Sequence, residues 1–131
     1  RVRAVEALAP VAQDVVVCGH DREEIGFLVV PNLAACRALA GLPDTAGLAD
    51  VVAAPAVLAK LREGLKRLHA ATGGASSMHA TRALLLDAAL SIDAGEITDK
   101  GYVNQRAVLG ARAAKVERLY ATTADAGVVE L

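Results

Sequence analysis

The sequence predicts a small α+β domain, with a three- or four-stranded sheet and packed helices. Three observations predict it. Two short β-branched runs, DVVVCG over 14–19 and IGFLVV over 25–30, have the length and composition of strands. A third short run, TRALLLD over 81–87, is apolar in its middle. Between the second and third, Leu58, Leu61, Leu65 and Leu68 recur at helical spacing. At 131 residues the chain is one domain's worth, and its 54% hydrophobic content permits a sizeable core. There is no Trp and aromatics are 2% of residues, so that core must be built from Val, Leu, Ile and Ala.

The elements follow in order. Val2, Val5 and Leu8 mark a helix near 2–9, which Pro10 ends because proline cannot continue the hydrogen-bond ladder. The runs at 14–19 and 25–30 are joined by the charged segment His20-Asp21-Arg22-Glu23-Glu24 and predict an antiparallel hairpin, closed by Pro31. Asn32 suits the N-cap of a helix over Leu33–Ala40, which Gly41 and Pro43 stop. Asp44–Ala54 is weakly patterned and reads as a connecting segment with room for a helical turn. Pro55 then suits the first turn of a helix over 55–71, with the leucines inward and Lys60, Arg62, Glu63, Lys66 and Arg67 outward. That outer face reads as solvated; as a secondary reading it attracts a phosphorylated ligand. Gly73-Gly74 ends the helix, and Ala75–His79 is a loop before the third strand. Arg82 is a strand-end cation without a motif of its own. Tyr102–Tyr120 reads as a single helix with Leu109, Ala113, Val116 and Tyr120 among its apolar positions. Residues 1–121 form the domain, and 122–131 read as a flexible tail.

Composition narrows the function classes. The formal net charge of −1 argues against a nucleic-acid binder driven by a basic surface. No apolar run approaches the ~18 residues of a membrane span. The two cysteines, Cys18 and Cys36, are not a disulfide framework and read as buried free thiols. His20, His69 and His79 have no metal-ligand spacing with each other or with the cysteines, so no metal site is expected. The start, RVRAVEALAP, has neither an initiator Met nor the apolar centre of a signal peptide. It reads as the beginning of an excised piece of a longer protein, with a cytoplasmic location as the default.

The chemistry concentrates in Ser91–Arg106, SIDAGEITDKGYVNQR. This polar stretch lies between the third strand and the last helix. A loop that ends at a helix N-terminus meets anions readily, through free N–H groups and the positive end of the dipole. Thr98 and Asp99 are both good N-cap types, which would put Lys100 at the helix mouth. The competing reading is a solvated loop in which Lys100 pairs with Asp93, Glu96 or Asp99.

The residues Ser91-Ile92-Asp93-Ala94-Gly95-Glu96-Ile97-Thr98-Asp99-Lys100-Gly101-Tyr102, followed by Asn104-Gln105-Arg106, resemble the C-terminal signature of feruloyl-CoA synthetases. These are a branch of the adenylate-forming (AMP-binding) acyl-CoA synthetases. A looser similarity lies upstream, where Val5-Glu6-Ala7-Leu8, Val15–Gly19 and Gly26–Val30 follow the helix–strand–strand order of that superfamily's C-terminal domain. The resemblance implies the mobile C-terminal lid of an ATP-dependent aromatic acid CoA ligase of the kind used in phenylpropanoid degradation. In that family a carboxylate attacks the α-phosphate of ATP, giving an acyl-adenylate and pyrophosphate, and the thiol of coenzyme A then displaces AMP. The lid presents different faces to the two half-reactions, and a lysine near its C-terminus serves the first.

By this resemblance Lys100 is the adenylation lysine, with Gly101 and Thr98 as cofactor-binding neighbours. The common P-x-G-K-like loop is replaced here by Thr98-Asp99-Lys100-Gly101. Physically, a lysine suits the step because it offsets the repulsion between carboxylate and polyphosphate, and its flexible stem swings in with a domain motion. Gly101 allows close backbone approach and Gly95 serves the turn that aims the loop. The resemblance implies ATP, coenzyme A and Mg2+ as cofactors, bound mainly by a larger N-terminal domain of the same chain. It implies a small aromatic carboxylic acid as substrate, no nucleic-acid or membrane partner, and no activity for this fragment alone. The alternatives are a ligase for another acid and a stand-alone, non-catalytic interaction module with the same fold.

Overall fold

The computed structural model describes residues 2–18, 25–71, 80–88, 90–120 and 128–130. Helix α1 (Val2–Ala7) leads into strands β1 (Ala12–Cys18) and β2 (Ile25–Pro31). Helices α2 (Leu33–Ala40), α3 (Leu48–Ala53) and α4 (Pro55–Ala71) then carry the chain to β3 (Ala80–Leu85). Helices α5 (Gln105–Ala111) and α6 (Ala113–Leu119) precede β4 (Val128–Glu130). The sheet order is β1-β2-β3-β4. β1 pairs antiparallel with β2, β2 parallel with β3, and β3 antiparallel with β4. This is the α+β domain expected, with a mixed sheet of four strands and packed helices.

The strand centres, over 15–18, 27–30 and 83–85, are apolar at successive positions because both faces of the sheet are covered. Side-chain parity sorts them. Val15, Phe27, Val29, Ala83, Leu85 and Val129 point to one core, which α1 to α4 cover with Leu8, Cys36, Val51, Val57, Leu61, Leu65 and Leu68. Val16, Cys18, Leu28, Leu84, Leu86 and Val128 point to the other, covered by Val108 of α5 and Leu119 of α6. Each buried leucine contributes roughly 1.5–3 kcal/mol relative to exposure. Cys18 and Cys36 are buried free thiols, as expected, and burial pushes the Cys36 thiol up from its ordinary value. No helix among the described residues is long and apolar enough to cross a membrane.

Local chemistry sets the element ends. The Asn32 side chain accepts from the Ala35 N–H at 3.1 Å, and Gly41 closes α2 in the left-handed region at φ 67°. The outer face of α4 is partly engaged within the fold: Arg67 donates to the Ala7 carbonyl at 3.0 Å, and Lys60 lies 3.6 Å from Glu63.

Three sequence expectations need correction. The connecting segment 44–54 contains a true helix, α3, whose first turn is closed by the Asp50 carboxylate accepting from the Gly47 N–H at 3.0 Å. The single helix over 102–120 is two helices: Asn104, not Thr98 or Asp99, is the N-cap, and the chain breaks at Arg112 with φ −110° and ψ 30°. Its buried positions are therefore Val108 and Leu119, while Ala113 is exposed. Part of the segment read as a tail, Val128–Glu130, is strand β4, held by β3. The charged segment 20–24, the loop 75–79 with Gly73-Gly74, and His20 and His79 lie outside the described residues.

Candidate functional site: the lysine hairpin

Ser91–Asn104 is built as two consecutive turns. In the first, the Ser91 hydroxyl accepts from the Ala94 N–H at 3.1 Å, and Gly95 takes the left-handed region at φ 76°. The Glu96 N–H donates to the Ser91 carbonyl at 3.0 Å, and the Ser91 N–H donates back to Glu96 Oε1 at 2.9 Å. In the second, Ile97 and Val103 form an isolated antiparallel bridge. The Thr98 N–H donates to the Tyr102 carbonyl, and the Gly101 N–H to the Thr98 carbonyl, each at 2.8 Å. The Thr98 hydroxyl accepts from the Tyr102 N–H at 3.1 Å. Gly101 has φ 87°, so a left-handed glycine ends the loop and returns the chain to the second arm.

Lys100 therefore sits near the tip of a small hairpin. It is exposed and makes no hydrogen bond or ion pair among the described residues. Two sequence expectations change accordingly. Lys100 is not at the mouth of a helix, because α5 starts only after Asn104, whose side chain accepts from the Ala107 N–H at 3.2 Å. Nor does Lys100 pair with Glu96, because that carboxylate points inward.

Glu96 is only 2% exposed and lies under the hairpin. Its Oε2 accepts from Arg112 Nε at 2.9 Å and its Oε1 from Arg112 Nη2 at 3.1 Å, a two-point fork. Arg112 also donates to the Ala88 carbonyl at 3.3 Å, which ties the hairpin base to the exit of β3. The guanidinium holds the Glu96 carboxyl below its ordinary value, helped by the Ser91 N–H, against the opposing effect of burial. Glu96 in turn raises Arg112. Nearby, Lys115 meets Asp87 at 3.0 Å and lowers it, but this pair is more exposed.

Gln105 supplies a second tether. Its Oε1 accepts from the Val17 N–H at 2.9 Å, and its Nε2 donates to the Val15 carbonyl at 3.0 Å. The side chain thus occupies the free edge of β1 as a further strand would. Gln105 lies within the signature stretch and Arg112 beyond it, and nothing in the sequence alone marks either as a tether.

Gly101, Ile97 and Val103 line a cleft of about 370 Å³ together with Asp14, Pro31 and Leu33. The three residues singled out from sequence are thus together: Lys100 at the tip, Thr98 across the turn, and Gly101 between the turn and the cleft. Arg82 belongs elsewhere. It is 8% exposed, donates to the Leu119 carbonyl at 2.9 Å and lies 5.4 Å from the Tyr120 ring centre, so it secures the end of α6. Among the described residues no group of three or more His, Cys, Asp or Glu side chains is placed to hold a metal ion.

No family model matches the sequence, and no curated protein matches it. The fold is similar to part of a solved structure, the A-PCP didomain of carboxylic acid reductase from Segniliparus rugosus in complex with AMP. The TM-score is 0.62 at 20% sequence identity, over 92% of this chain. The chain spans only 16% of that longer one.

Proposed function

We propose that this chain is the C-terminal lid of an ATP-dependent aromatic acid CoA ligase of the feruloyl-CoA synthetase kind, and that Lys100 serves its adenylation step. The observation that carries the reading is an exposed cation without a partner among the described residues, near the tip of a hairpin with a secured base. The resemblance of residues 91–106 to the feruloyl-CoA synthetase signature supports it, as does the fold likeness to an enzyme solved with AMP.

In this reading the larger N-terminal domain holds most of the ATP, Mg2+, coenzyme A and acid contacts. Lys100 extends from the turn towards the reacting phosphate and carboxylate groups, offsets their repulsion and stabilises charge as pyrophosphate leaves. Two unit charges ~4 Å apart interact by about 4 kcal/mol at an effective dielectric near 20. Gly101 keeps the backbone beside the lysine free of a side chain, and Thr98 holds the turn. Ile92 in the first turn and Tyr102 beside the second, 70% and 66% exposed, give the loop an apolar surface to bury when the lid closes. The full-length polypeptide should convert ferulate, ATP and coenzyme A to feruloyl-CoA, while the isolated chain turns over nothing. Steady turnover by the isolated chain would refute the lid assignment.

The likeness to a reductase didomain favours one second reading, an adenylating enzyme that passes its acyl group to an acceptor other than coenzyme A. Acid-dependent ATP–pyrophosphate exchange with no coenzyme A thioester formed would select it.

A further inference from the structure

We propose that Glu96 is a positioning residue for Lys100: through Arg112 it fixes the base of the hairpin and so sets where the lysine is delivered. The proposal rests on the lid reading above and adds to it the device that aims the lysine.

The burial of Glu96 is the starting point. Its loop neighbours Asp93, Ala94, Gly95, Asp99 and Lys100 are all exposed, yet Glu96 is 2% exposed. A carboxylate leaves water only at a considerable cost, which a bidentate guanidinium and further hydrogen bonds offset. Loop closure alone does not need such a group, because the Gly95 and Glu96 N–H groups already close the first turn on the Ile92 and Ser91 carbonyls.

What the group does follows from its partners. Glu96 touches both turns. Its carboxylate accepts from Ser91 on one side, and its carbonyl accepts from the Asn104 N–H at 2.8 Å across the hairpin. It is thus the residue just below the Ile97–Val103 bridge, on the arm that leads to Lys100. Arg112 carries this point to two other parts of the fold, the break between α5 and α6 and the Ala88 carbonyl after β3. The Gln105 amide binds the opposite side of the hairpin base to β1. Backbone bonds and the Thr98 hydroxyl define the tip, while the side chains of Glu96, Arg112 and Gln105 tie the base to the rest of the fold. A lysine stem adapts over its own length, but its origin is set by this base. Small misplacements of a reacting group are expensive in rate, on the order of 100-fold for ~1 Å.

Glu96→Gln keeps the size of the side chain and removes its charge. Arg112→Lys keeps the charge and removes the fork. Glu96→Asp keeps the charge on a shorter stem. All three are placed in the full-length polypeptide and compared with Lys100→Ala. For Glu96→Gln and Arg112→Lys the expected result is a fall of roughly 10- to 100-fold in the kcat of acid-dependent ATP–pyrophosphate exchange. KM for ATP stays within about twofold, as expected when an interaction made only in the transition state is lost. Thioester formation from pre-made acyl-adenylate is preserved, and Glu96→Asp recovers part of the loss. Amide hydrogen exchange over 97–104 speeds up, while β1, β2 and β3 keep their protection.

Unchanged protection over 97–104 in Glu96→Gln overturns the proposal. So does a loss of protection throughout the sheet with both half-reactions failing together in Glu96→Gln and Arg112→Lys, which would make the pair a structural support only. If Lys100→Ala leaves exchange intact, it is the lysine assignment that fails. A lysine that does no chemistry needs no aiming, so that result removes the proposal as well, even where hydrogen exchange shows the hairpin loosened.

Discussion

Removing Arg112 tests the buried ion pair without reference to catalysis. In Arg112→Ala, Glu96 keeps the Ser91 N–H but loses both guanidinium bonds, at 2.9 and 3.1 Å, while remaining in a site where it is 2% exposed. The intact pair adds little net stability, because its attraction mostly repays desolvation, whereas removing one partner leaves the other charge buried and typically costs about 3–5 kcal/mol. Against a total stability of about 5–15 kcal/mol this is a large fraction. With urea m-values of about 1–3 kcal/mol/M, the unfolding midpoint of the 131-residue chain falls by at least about 1 M at pH 7. The pH dependence has a definite sign. In the wild type Arg112 holds the Glu96 carboxyl below its ordinary 4.5, so its contribution is complete above that pH. It is lost as pH falls through the lower folded value. In the variant the lowering influence of Arg112 is gone and burial pushes the carboxyl up. Protonation then relieves the penalty, and the gap between variant and wild type narrows on acidification. Urea titrations at pH 7 and near pH 4 measure both effects. An unchanged midpoint at pH 7, or a gap that stays constant between the two, refutes the reasoning.

Two further predictions use the same titration. Lys115→Ala removes the 3.0 Å contact to Asp87, whose side chain is 44% exposed, so solvent screens the pair and the loss stays within about 1 kcal/mol; a loss as large as that of Arg112→Ala would contradict the burial argument. Gly64→Ala adds a good helix former inside α4, worth about 1 kcal/mol in an open helix. Here the new Cβ meets the Ala7 carbonyl oxygen and lies 3.0 Å from Leu8 Cδ2, so overpacking of about 1–3 kcal/mol outweighs the gain. A raised urea midpoint would show that α1 moves aside freely.

What was legible in the sequence was local. The apolar runs located β1, β2 and β3, and Asn32, Gly41 and Pro55 marked both ends of α2 and the start of α4 by their own capping and φ chemistry. What was not legible depends on partners distant in the chain. Val128–Glu130 is too short to signal a strand and becomes one by pairing with Arg82, Ala83 and Leu84. The last helix looked longer than it is because Tyr102 and Val103 have apolar character, yet Val103 is spent on the bridge to Ile97. The site divides in the same way. A lysine beside a glycine in a polar stretch is visible in one dimension. Glu96 reads as one more solvated acid, because its partner lies 16 residues further on at a helix break that periodicity smoothed over. Asn104, three residues before Ala107 and on the edge of an apolar period, was the available signal for the true start of α5.

The most direct test of the central claim is Lys100→Ala in the full-length polypeptide, with each half-reaction measured separately. Ferulate-dependent ATP–pyrophosphate exchange should fall by roughly 10²–10³. Thioester formation from pre-made feruloyl-adenylate and coenzyme A should survive, and the fold should remain intact because Lys100 supports no described contact. Exchange at the wild-type rate would contradict the account and leave Lys100 a solvated cation on a well-anchored hairpin.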